Sequence, residues 1–217
     1  PTTNPDGAVP LDHEEFPRPT TTIEALARLE ASFAKMGSHV FDGFDASFDD
    51  MCMQVYPEID EVEHVHHAGN SSGVVDGASA LLVASPEYAR AHGLTPRARM
   101  VMSAVAGAEP VIMLTAPGPA SQKCLDRAGM TVDDIDLWEI NEAFAAIPMK
   151  TMRDLGVDHE RVNVNGGAIA LGHPNGATGG ILIQTVLDEL ERQDKTTGLV
   201  TMCTGGGMGT ATIIERI

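Results

Sequence analysis

The sequence is poor in cysteine and in basic residues. Its three cysteines, Cys52, Cys124 and Cys203, have no metal-like spacing, and an odd, sparse set does not form a disulfide framework. Only 14 Lys and Arg stand against 31 Asp and Glu, and the net charge of −17 disfavours nucleic acid as a partner and an anionic membrane surface. No apolar run is long enough to cross a membrane, and no signal-peptide pattern opens the chain. We therefore expect a protein of a reducing compartment, the cytoplasm.

Hydrophobic residues make up 43% of the 217 residues, which is enough for a sizeable core. From Arg99 onward, strand patterns alternate with helix patterns, and this order predicts a layered α/β domain. The predicted strands are Met100–Ala106, Asp136–Ile140, Val162–Val164, Leu199–Thr204 and Thr210–Ile214. The predicted helices are Gln122–Ala128, a short one that starts within Thr131–Asp134, Glu142–Leu155, and one that carries Leu182, Val186 and Leu190.

The part of the chain before Arg99 has weaker patterns. Residues Pro1 to Pro19 read as an extended surface segment, and Thr20–Lys35 has a helical stripe behind a threonine cap. The small residues of Val74–Val83 predict a closely packed helix. Ser85-Pro86 predicts the start of another helix, which ends near Gly93.

Residues 42–65, hereafter the acidic segment, carry eight acidic residues and no Lys or Arg. Aromatic and methionine side chains are interleaved with the charges. One interpretation is a solvated surface excursion, and the alternatives are a flap at the substrate entrance or an oligomer contact. The eight acidic residues are Asp42, Asp45, Asp49, Asp50, Glu58, Asp60, Glu61 and Glu63.

A histidine cluster, His64-Val65-His66-His67, ends this segment. Alternation would place His64 and His66 on one face of a strand, near acidic side chains that suit a divalent metal. Because no second cluster of ligands is visible, we expect no metal site.

The stretch Gly166–Gly180 is the most distinctive part of the sequence. It contains six glycines around His173-Pro174. Glycine permits backbone conformations that a Cβ forbids, and Pro174 restricts His173 to extended backbone. These residues predict a strand, a tight loop that presents one imidazole at a sharp bend, and a helix.

Two further motifs carry chemistry. Asn141-Glu142-Ala143-Phe144-Ala145 ends a predicted strand, where Asn141 either caps the next helix or serves a site. Cys203 precedes a glycine-rich run that ends at Gly209. A buried cysteine is usually inert packing, but glycine-rich backbone beside a thiol also presents N–H groups suited to an anion hole.

These three motifs, NEAFA, GHPNGATG and CTGGGMG in this order, resemble those of the thiolases. The resemblance implies a thiolase-like layered α/β/α domain with a mixed sheet, preceded by the tail of a loop domain. It covers about the last half of a thiolase. Residues 1–67 would end the loop domain and include the acidic segment, 68–96 would close the N-terminal half, and 97–217 would form the C-terminal domain.

The resemblance also implies roles for individual residues. His173 would be the base that activates a nucleophile, and Cys203 would move the proton of the α-carbon. Asn141 would position a water in one oxyanion hole, and Gly205 N–H would form part of the other. The residues expected to line the site for the coenzyme A thioester are Ser72, Met113 and Phe144.

The implied function is that of an acyl-CoA C-acyltransferase, which cleaves 3-ketoacyl-CoA with coenzyme A or runs the reverse condensation, with no cofactor or metal. Coenzyme A is anionic, so local basic groups must overcome the global charge. The resemblance implies a homodimer or tetramer, and an N-terminal half, on the same or a separate polypeptide, that supplies the nucleophilic cysteine. Neither Cys52 nor Cys124 has the sequence context of that nucleophile.

Two alternatives stay open at this point. The condensing enzymes of fatty-acid synthesis use one cysteine with two histidines, and both Asn141 and Cys203 argue against that branch. A non-catalytic protein of the same fold would bind coenzyme A thioesters or pair with an active subunit. The absence of the nucleophile favours this second alternative, whereas the presence of His173, Asn141 and Cys203 argues against it.

Overall fold

The computed structural model describes residues 3–9 and 12–217. The predicted surface segment Pro1–Pro19 therefore lies partly outside the described residues. Its described part is largely exposed and contains neither helix nor strand. No helix of the described ranges is long and apolar enough to span a bilayer.

The α-helices are α1 (Ile23–Leu26), α2 (Ala34–Gly37), α3 (Phe48–Val55), α4 (Pro86–Ala91), α5 (Pro117–Ala128), α6 (Ala146–Leu155), α7 (Ala168–Leu171) and α8 (Thr178–Arg192). The strands are β1 (Ala98–Gly107), β2 (Leu137–Ile140), β3 (Thr197–Thr204) and β4 (Met208–Arg216), and 3₁₀ turns cover Val132–Asp134 and His159–Arg161.

The strands of the described residues form one four-stranded sheet in the order β1-β4-β3-β2. Strand β4 is antiparallel to both β1 and β3, whereas β2 is parallel to β3. The sheet is therefore mixed, as expected. Because β2 and β3 run in the same direction, their carboxyl ends lie at the same edge of the sheet.

Helices cover both faces of this sheet. On one face, α5 and α6 enclose a core that includes Leu125, Trp138 and Ile213. On the other face, α8 buries Leu182, Val186 and Leu190 against β2, β3 and β4, as its spacing predicts. The result is three layers, α/β/α, and the predicted fold class is confirmed.

Most predicted elements of the second half exist, with small shifts at their ends. Helix α5 begins earlier than predicted, at Pro117, because proline is favourable in the first turn of a helix. It ends at Gly129, whose φ of 67° is a left-handed cap. The predicted helices at Ser85-Pro86 and at Thr131–Asp134 are present as α4 and a 3₁₀ turn.

The predicted helix Thr20–Lys35 is wrong over most of its length. Only α1 and α2 form, although Thr22 caps α1 as expected. Between them the backbone bonds to another part of the chain, since Ser32 N–H donates to His66 O at 2.8 Å. Short helices are marginal in water without a packed face, so this tertiary contact prevails.

The predicted helix Val74–Val83 does not form at all. Gly73 O accepts a hydrogen bond from the backbone of His173, and Ser79 Oγ donates to Ala177 O, so this stretch is tied to the histidine loop instead. Leu82 and Val83 are 79% and 71% exposed. The small residues therefore serve close packing against the loop, in backbone that is neither helix nor strand.

The predicted helix Glu142–Leu155 begins four residues late, at Ala146, and no side chain caps it. Phe144 pairs in an isolated antiparallel bridge with Ser71, and Ala145 N–H donates to Asn70 O at 2.9 Å. Asn141 is therefore not a helix cap, and its amide is left for another role.

The acidic segment folds around α3, where Ser47 and Asp50 form a reciprocal capping box. The prediction that His64 and His66 share a strand face is wrong, because residues 64–67 form no strand. His64 Nε2 lies 3.0 Å from a carboxylate oxygen of Asp49 on α3. This bond between side chains fixes the end of the segment in place of strand pairing.

Asn163 makes hydrogen bonds along the edge of β2 that is not paired with β3. The predicted strand at Val162–Val164 is reduced to one isolated bridge between Val162 and Trp138. Beyond it, Asn163 Oδ1 accepts from Ile140 N–H at 2.8 Å and its Nδ2 donates to Ile140 O at 2.9 Å, as a neighbouring strand would. The same Nδ2 also donates to Glu142 Oε1 at 2.8 Å.

We predict that Asn163→Ala lowers the free energy of unfolding by roughly 2–4 kcal/mol, because three hydrogen bonds are lost and one had a carboxylate acceptor. Alanine is also less tolerant than asparagine of the left-handed φ of 47° at this position. Urea unfolding measures the effect. Asn165→Ala is the matched control, since exposed Asn165 makes only one bond, to Glu189, among the side-chain bonds of the described residues. Equal losses in the two variants would contradict this role.

Candidate active site

Two of the predicted catalytic residues follow from the parallel pairing of β2 and β3. Ile140 pairs with Thr201, and Asn141 N–H then donates to Thr201 O at 3.0 Å. Cys203 lies two residues further along β3, opposite Gly209 of β4. The sheet therefore brings Asn141 and Cys203 to the same edge.

His173 lies in the loop between α7 and α8. Gly172 has a φ of 93°, which a side chain would rarely adopt, and Pro174 follows. The imidazole is held by its neighbours on two sides: Nδ1 lies 2.7 Å from Thr178 Oγ1, and Nε2 lies 3.4 Å from Asn141 Nδ2. The predicted bend is confirmed, although the short helix α7 precedes it.

These contacts select one tautomer of His173. Thr178 Oγ1 donates its only proton to Pro174 O at 3.0 Å, so the hydroxyl accepts from His173. Nδ1 therefore carries the proton, and the Nε2 lone pair faces the amide donor of Asn141. An imidazole whose Nε2 carries a lone pair, engaged among the described residues only by this long 3.4 Å contact, is equipped to act as a base.

Asn141 contributes an unused acceptor beside this imidazole. Its side chain is only 1% exposed, and its Oδ1 has no hydrogen-bond partner in residues 3–9 and 12–217. Buried polar atoms are nearly always paired, so such an oxygen indicates a place for a donor.

Burial moves the pKa values of the two candidate acid–base groups in opposite directions. It lowers the pKa of His173, because the charged imidazolium is disfavoured away from water. It raises the pKa of the Cys203 thiol, because there the charged form is the thiolate. At neutral pH the site thus holds a neutral base and a protonated thiol.

Gly205 begins a turn that joins β3 to β4, in which Gly206 and Gly207 have φ values of 85° and 80°. A Cβ on Gly205 would lie 3.9 Å from Met113 Sδ, so Met113 reaches this turn. Met113 itself has a φ of 70° and is 39% exposed. The structure thus brings together the predicted anion-hole glycine and one of the predicted pocket residues.

Ser72 and Phe144, the other predicted substrate contacts, are close to each other. Ser72 N–H donates to Ala143 O at 3.0 Å. The ring of Phe144 contacts His66 at a centroid distance of 4.5 Å and the edge of Phe33 at 5.8 Å. Phe144 therefore belongs to an aromatic cluster that joins the NEAFA motif to the chain before Ala68.

Three residues that support the histidine loop were not among the predicted site residues: Thr178, Glu142 and Gly73. Glu142 Oε2 accepts from Ile169 N–H at 3.1 Å, at the start of α7. Gly73 O accepts from His173 N–H at 2.8 Å. Thr178 and Glu142 lie inside two of the recognised motifs, and Gly73 directly follows the predicted contact Ser72, but only the three-dimensional contacts show what these residues support.

Close packing explains the small residues on both sides of this contact. A Cβ on Gly77 would lie 2.5 Å from Pro174, and one on Gly172 would lie 2.4 Å from Val75. A cavity of about 400 Å³ lies between residues 75–79 and 174–177. A second cavity, of about 610 Å³, lies behind Glu142 along α6, and no predicted catalytic residue lines it.

The other histidine, cysteine and carboxylate side chains of the described residues do not form a second catalytic or metal-binding centre. Within residues 3–9 and 12–217, no three His, Cys, Asp or Glu side chains converge as metal ligands would. Cys124 is fully buried in the core, and its thiol lies 3.7 Å from Ala211 O. Burial raises the pKa values of both Cys124 and Cys52, the opposite of what a nucleophilic thiolate requires.

Comparison with known proteins places this site in a family. Residues 94–216 match the family model described as the thiolase C-terminal domain. An acetyl-CoA acetyltransferase of Allochromatium vinosum is 44% identical over 207 residues, which are 95% of this chain and 46% of that protein. A 3-ketoacyl-CoA thiolase of Aeromonas hydrophila is 44% identical over 209 residues, 95% of this chain and 47% of that protein.

The fold agrees with these matches. The crystal structure of the Bacillus anthracis acetyl-CoA acetyltransferase superposes with a TM-score of 0.75 at 36% identity, over 98% of this chain and 50% of that one. The chain thus spans about half the length of the proteins that it matches. With the motifs, the sheet and these matches in agreement, the chain belongs to the thiolase family.

Proposed function

We propose that this chain is the C-terminal half of an acyl-CoA C-acyltransferase that cleaves 3-ketoacyl-CoA with coenzyme A, or condenses two acyl-CoA molecules in the reverse direction. The observation that carries the proposal is the orientation of His173, whose Nε2 lone pair lies beside Asn141. The nucleophilic cysteine comes from an N-terminal half, on the same or a separate polypeptide.

In thiolysis two residues of the site, His173 and Cys203, move protons. His173 Nε2 takes the proton of the nucleophilic thiol, whose thiolate then attacks the 3-keto carbon. When the bond between C2 and C3 breaks, the electron pair remains on the departing acetyl-CoA enolate, and Cys203 gives its proton to C2. The Cys203 thiolate then takes the proton of coenzyme A, whose thiolate attacks the acyl carbon. The nucleophilic cysteine leaves as a thiolate and takes its proton back from His173.

Fixed donors stabilise the charge on the two thioester oxygens. We assign one oxyanion hole to Gly205 N–H, in the turn after β3. We assign the other to His173, whose Nε2 becomes a donor once it has taken the thiol proton, together with a water held by Asn141 Oδ1, the buried acceptor without a partner in the described residues. Donors that are already oriented stabilise developing charge without reorganisation.

The same proposal assigns the residues that contact the substrate and the surfaces that contact the rest of the assembly. Ser72, Met113 and Phe144 line the thioester site. The exposed Leu82 and Val83 support a surface that the N-terminal half covers, and the domain boundaries at residues 67 and 96 remain our prediction. We also propose a cytoplasmic homodimer or tetramer that needs neither metal nor cofactor.

A non-catalytic coenzyme A binder is the less favoured alternative. Binding alone requires neither a base with a fixed tautomer nor a second thiol near it. The bond from His173 to Thr178 maintains both the tautomer and the ring orientation, which proton transfer and the stabilisation of an oxyanion require.

We predict that His173→Ala and Cys203→Ala, in the protein that contains the N-terminal half, each lower kcat for thiolysis by about 10²–10⁴-fold, the usual contribution of an acid–base group. The assay follows loss of 3-ketoacyl-CoA. His92→Ala is the control, since His92 stacks on Tyr88 at the end of α4. Turnover near that of the wild type in either test variant would remove the assigned roles.

The pH dependence follows from the two pKa shifts. Thiolysis requires neutral His173, so kcat/KM falls as the pH drops below the ordinary histidine pKa of about 6.5. It also requires protonated Cys203, so activity falls again as the pH rises above the ordinary cysteine pKa of about 8.5. A profile with its acid limb above 6.5 would contradict the neutral, buried base.

Substitutions of Thr178 test whether this residue fixes the tautomer of His173. Thr178→Val keeps the shape of the side chain but removes the acceptor for Nδ1–H, and we predict a roughly 10- to 100-fold fall in kcat with little change in KM, less than loss of the base itself. Thr178→Ser retains the hydroxyl and should restore most of the rate. ¹⁵N NMR of the imidazole should show Nδ1–H in the wild type and a mixture of tautomers in Thr178→Val. An unchanged tautomer in the valine variant would contradict the role of Thr178.

A further inference from the structure

The acidic segment contacts the candidate active site through Tyr56. This residue ends α3, and its hydroxyl donates to Glu109 Oε2 at 2.6 Å across 53 residues of sequence. The bond raises the pKa of Tyr56 to about 12. The pKa of Glu109 is lowered, first by the hydrogen bond from Ile112 N–H and then by the bond from Tyr56. At neutral pH the phenol is therefore protonated and the carboxylate charged, as this bond requires.

Glu109 in turn organises the loop that carries Met113. Its carboxylate also accepts from the backbone N–H of Val111 at 2.9 Å and of Ile112 at 2.6 Å. Its backbone oxygen accepts from Met113 N–H at 3.2 Å. One glutamate thus connects the acidic segment to three successive residues of the loop.

The loop lies directly on the glycine turn of the site. Ala108 N–H donates to Gly207 O at 2.6 Å, and a Cβ on Gly207 would lie 2.6 Å from Ala108 O. Met113 reaches Gly205 in a left-handed conformation, which a non-glycine residue adopts only where its surroundings enforce it. The bonds to Glu109 supply that enforcement.

We propose that the acidic segment selects the acyl chain of the substrate, with Tyr56 as the positioning residue that acts through Glu109 on Met113. This inference rests on the proposed function and specifies its substrate. The segment carries eight acidic residues and no Lys or Arg, so an acyl chain that ends in a carboxylate is repelled. Phe48, the first residue of α3, packs against Phe41 at a centroid distance of 5.2 Å, so the segment also carries apolar side chains. The selected substrate is a 3-ketoacyl-CoA with an apolar acyl chain.

The chain offers a matched test, because it contains only two tyrosines. Tyr56→Phe removes the hydroxyl that bonds Glu109, and Tyr88→Phe removes one from exposed α4. Both are compared with the wild type, in the protein that contains the N-terminal half, on straight-chain 3-ketoacyl-CoAs of increasing length. One methylene is worth about 10–200-fold in a fitted pocket, so we expect Tyr56→Phe to reduce the preference between chain lengths by about fivefold or more. Tyr88→Phe should keep the wild-type profile.

Two further measurements distinguish failure of this inference from failure of the proposed function. Glu109→Gln, which weakens the same hydrogen bonds, should flatten the length profile as Tyr56→Phe does. A 3-ketoacyl-CoA that ends in a carboxylate should give a lower kcat/KM than its methyl-ended equivalent of the same length. A wild-type length profile in Tyr56→Phe, or a preference for the carboxylate, would overturn the inference while leaving the proposed function intact. A wild-type protein without thiolysis on any chain would instead remove the proposed function and this inference with it.

Discussion

The hydrogen bond from His173 Nδ1 to Thr178 is the interaction on which the site depends. It exists because Thr178 gives its own proton to Pro174 O, so the hydroxyl has only a lone pair to offer. Gly73 holds the backbone of His173 from the opposite side. The imidazole is therefore fixed in tautomer and in direction, which is the geometry that the proposed general-base role of His173 requires. Asn141 then meets the free nitrogen from the end of β2.

The parts of the fold that the sequence predicts well are those determined by local pattern. Helix α8 follows from the spacing of Leu182, Val186 and Leu190, and the end of α5 follows from Gly129. The bend at His173 follows from Gly172 and Pro174. In each case the residue type restricts the backbone or the buried face directly, so no distant partner is needed to infer the result.

The parts that it predicts poorly are those determined by distant partners. Residues 74–83 contain good helix-forming alanines, yet they are tied to the distant histidine loop, since Ser79 Oγ donates to Ala177 O across 98 residues of sequence. The start of α6 is delayed by the bridge from Phe144 to Ser71. The catalytic candidates came from the recognised motifs, whereas Thr178, Glu142 and the bond from Tyr56 to Glu109 required the three-dimensional contacts. A hydrogen bond between side chains leaves no periodic trace in the sequence.

The central claim is that His173 serves a nucleophile which this chain does not contain. Its most direct test is mass spectrometry, after incubation with acetyl-CoA, of the chain together with its N-terminal half. The account predicts one acetyl group, on a cysteine outside residues 1–217, and its loss in His173→Ala. An acetyl group on Cys52, Cys124 or Cys203, or labelling that survives in His173→Ala, would contradict it.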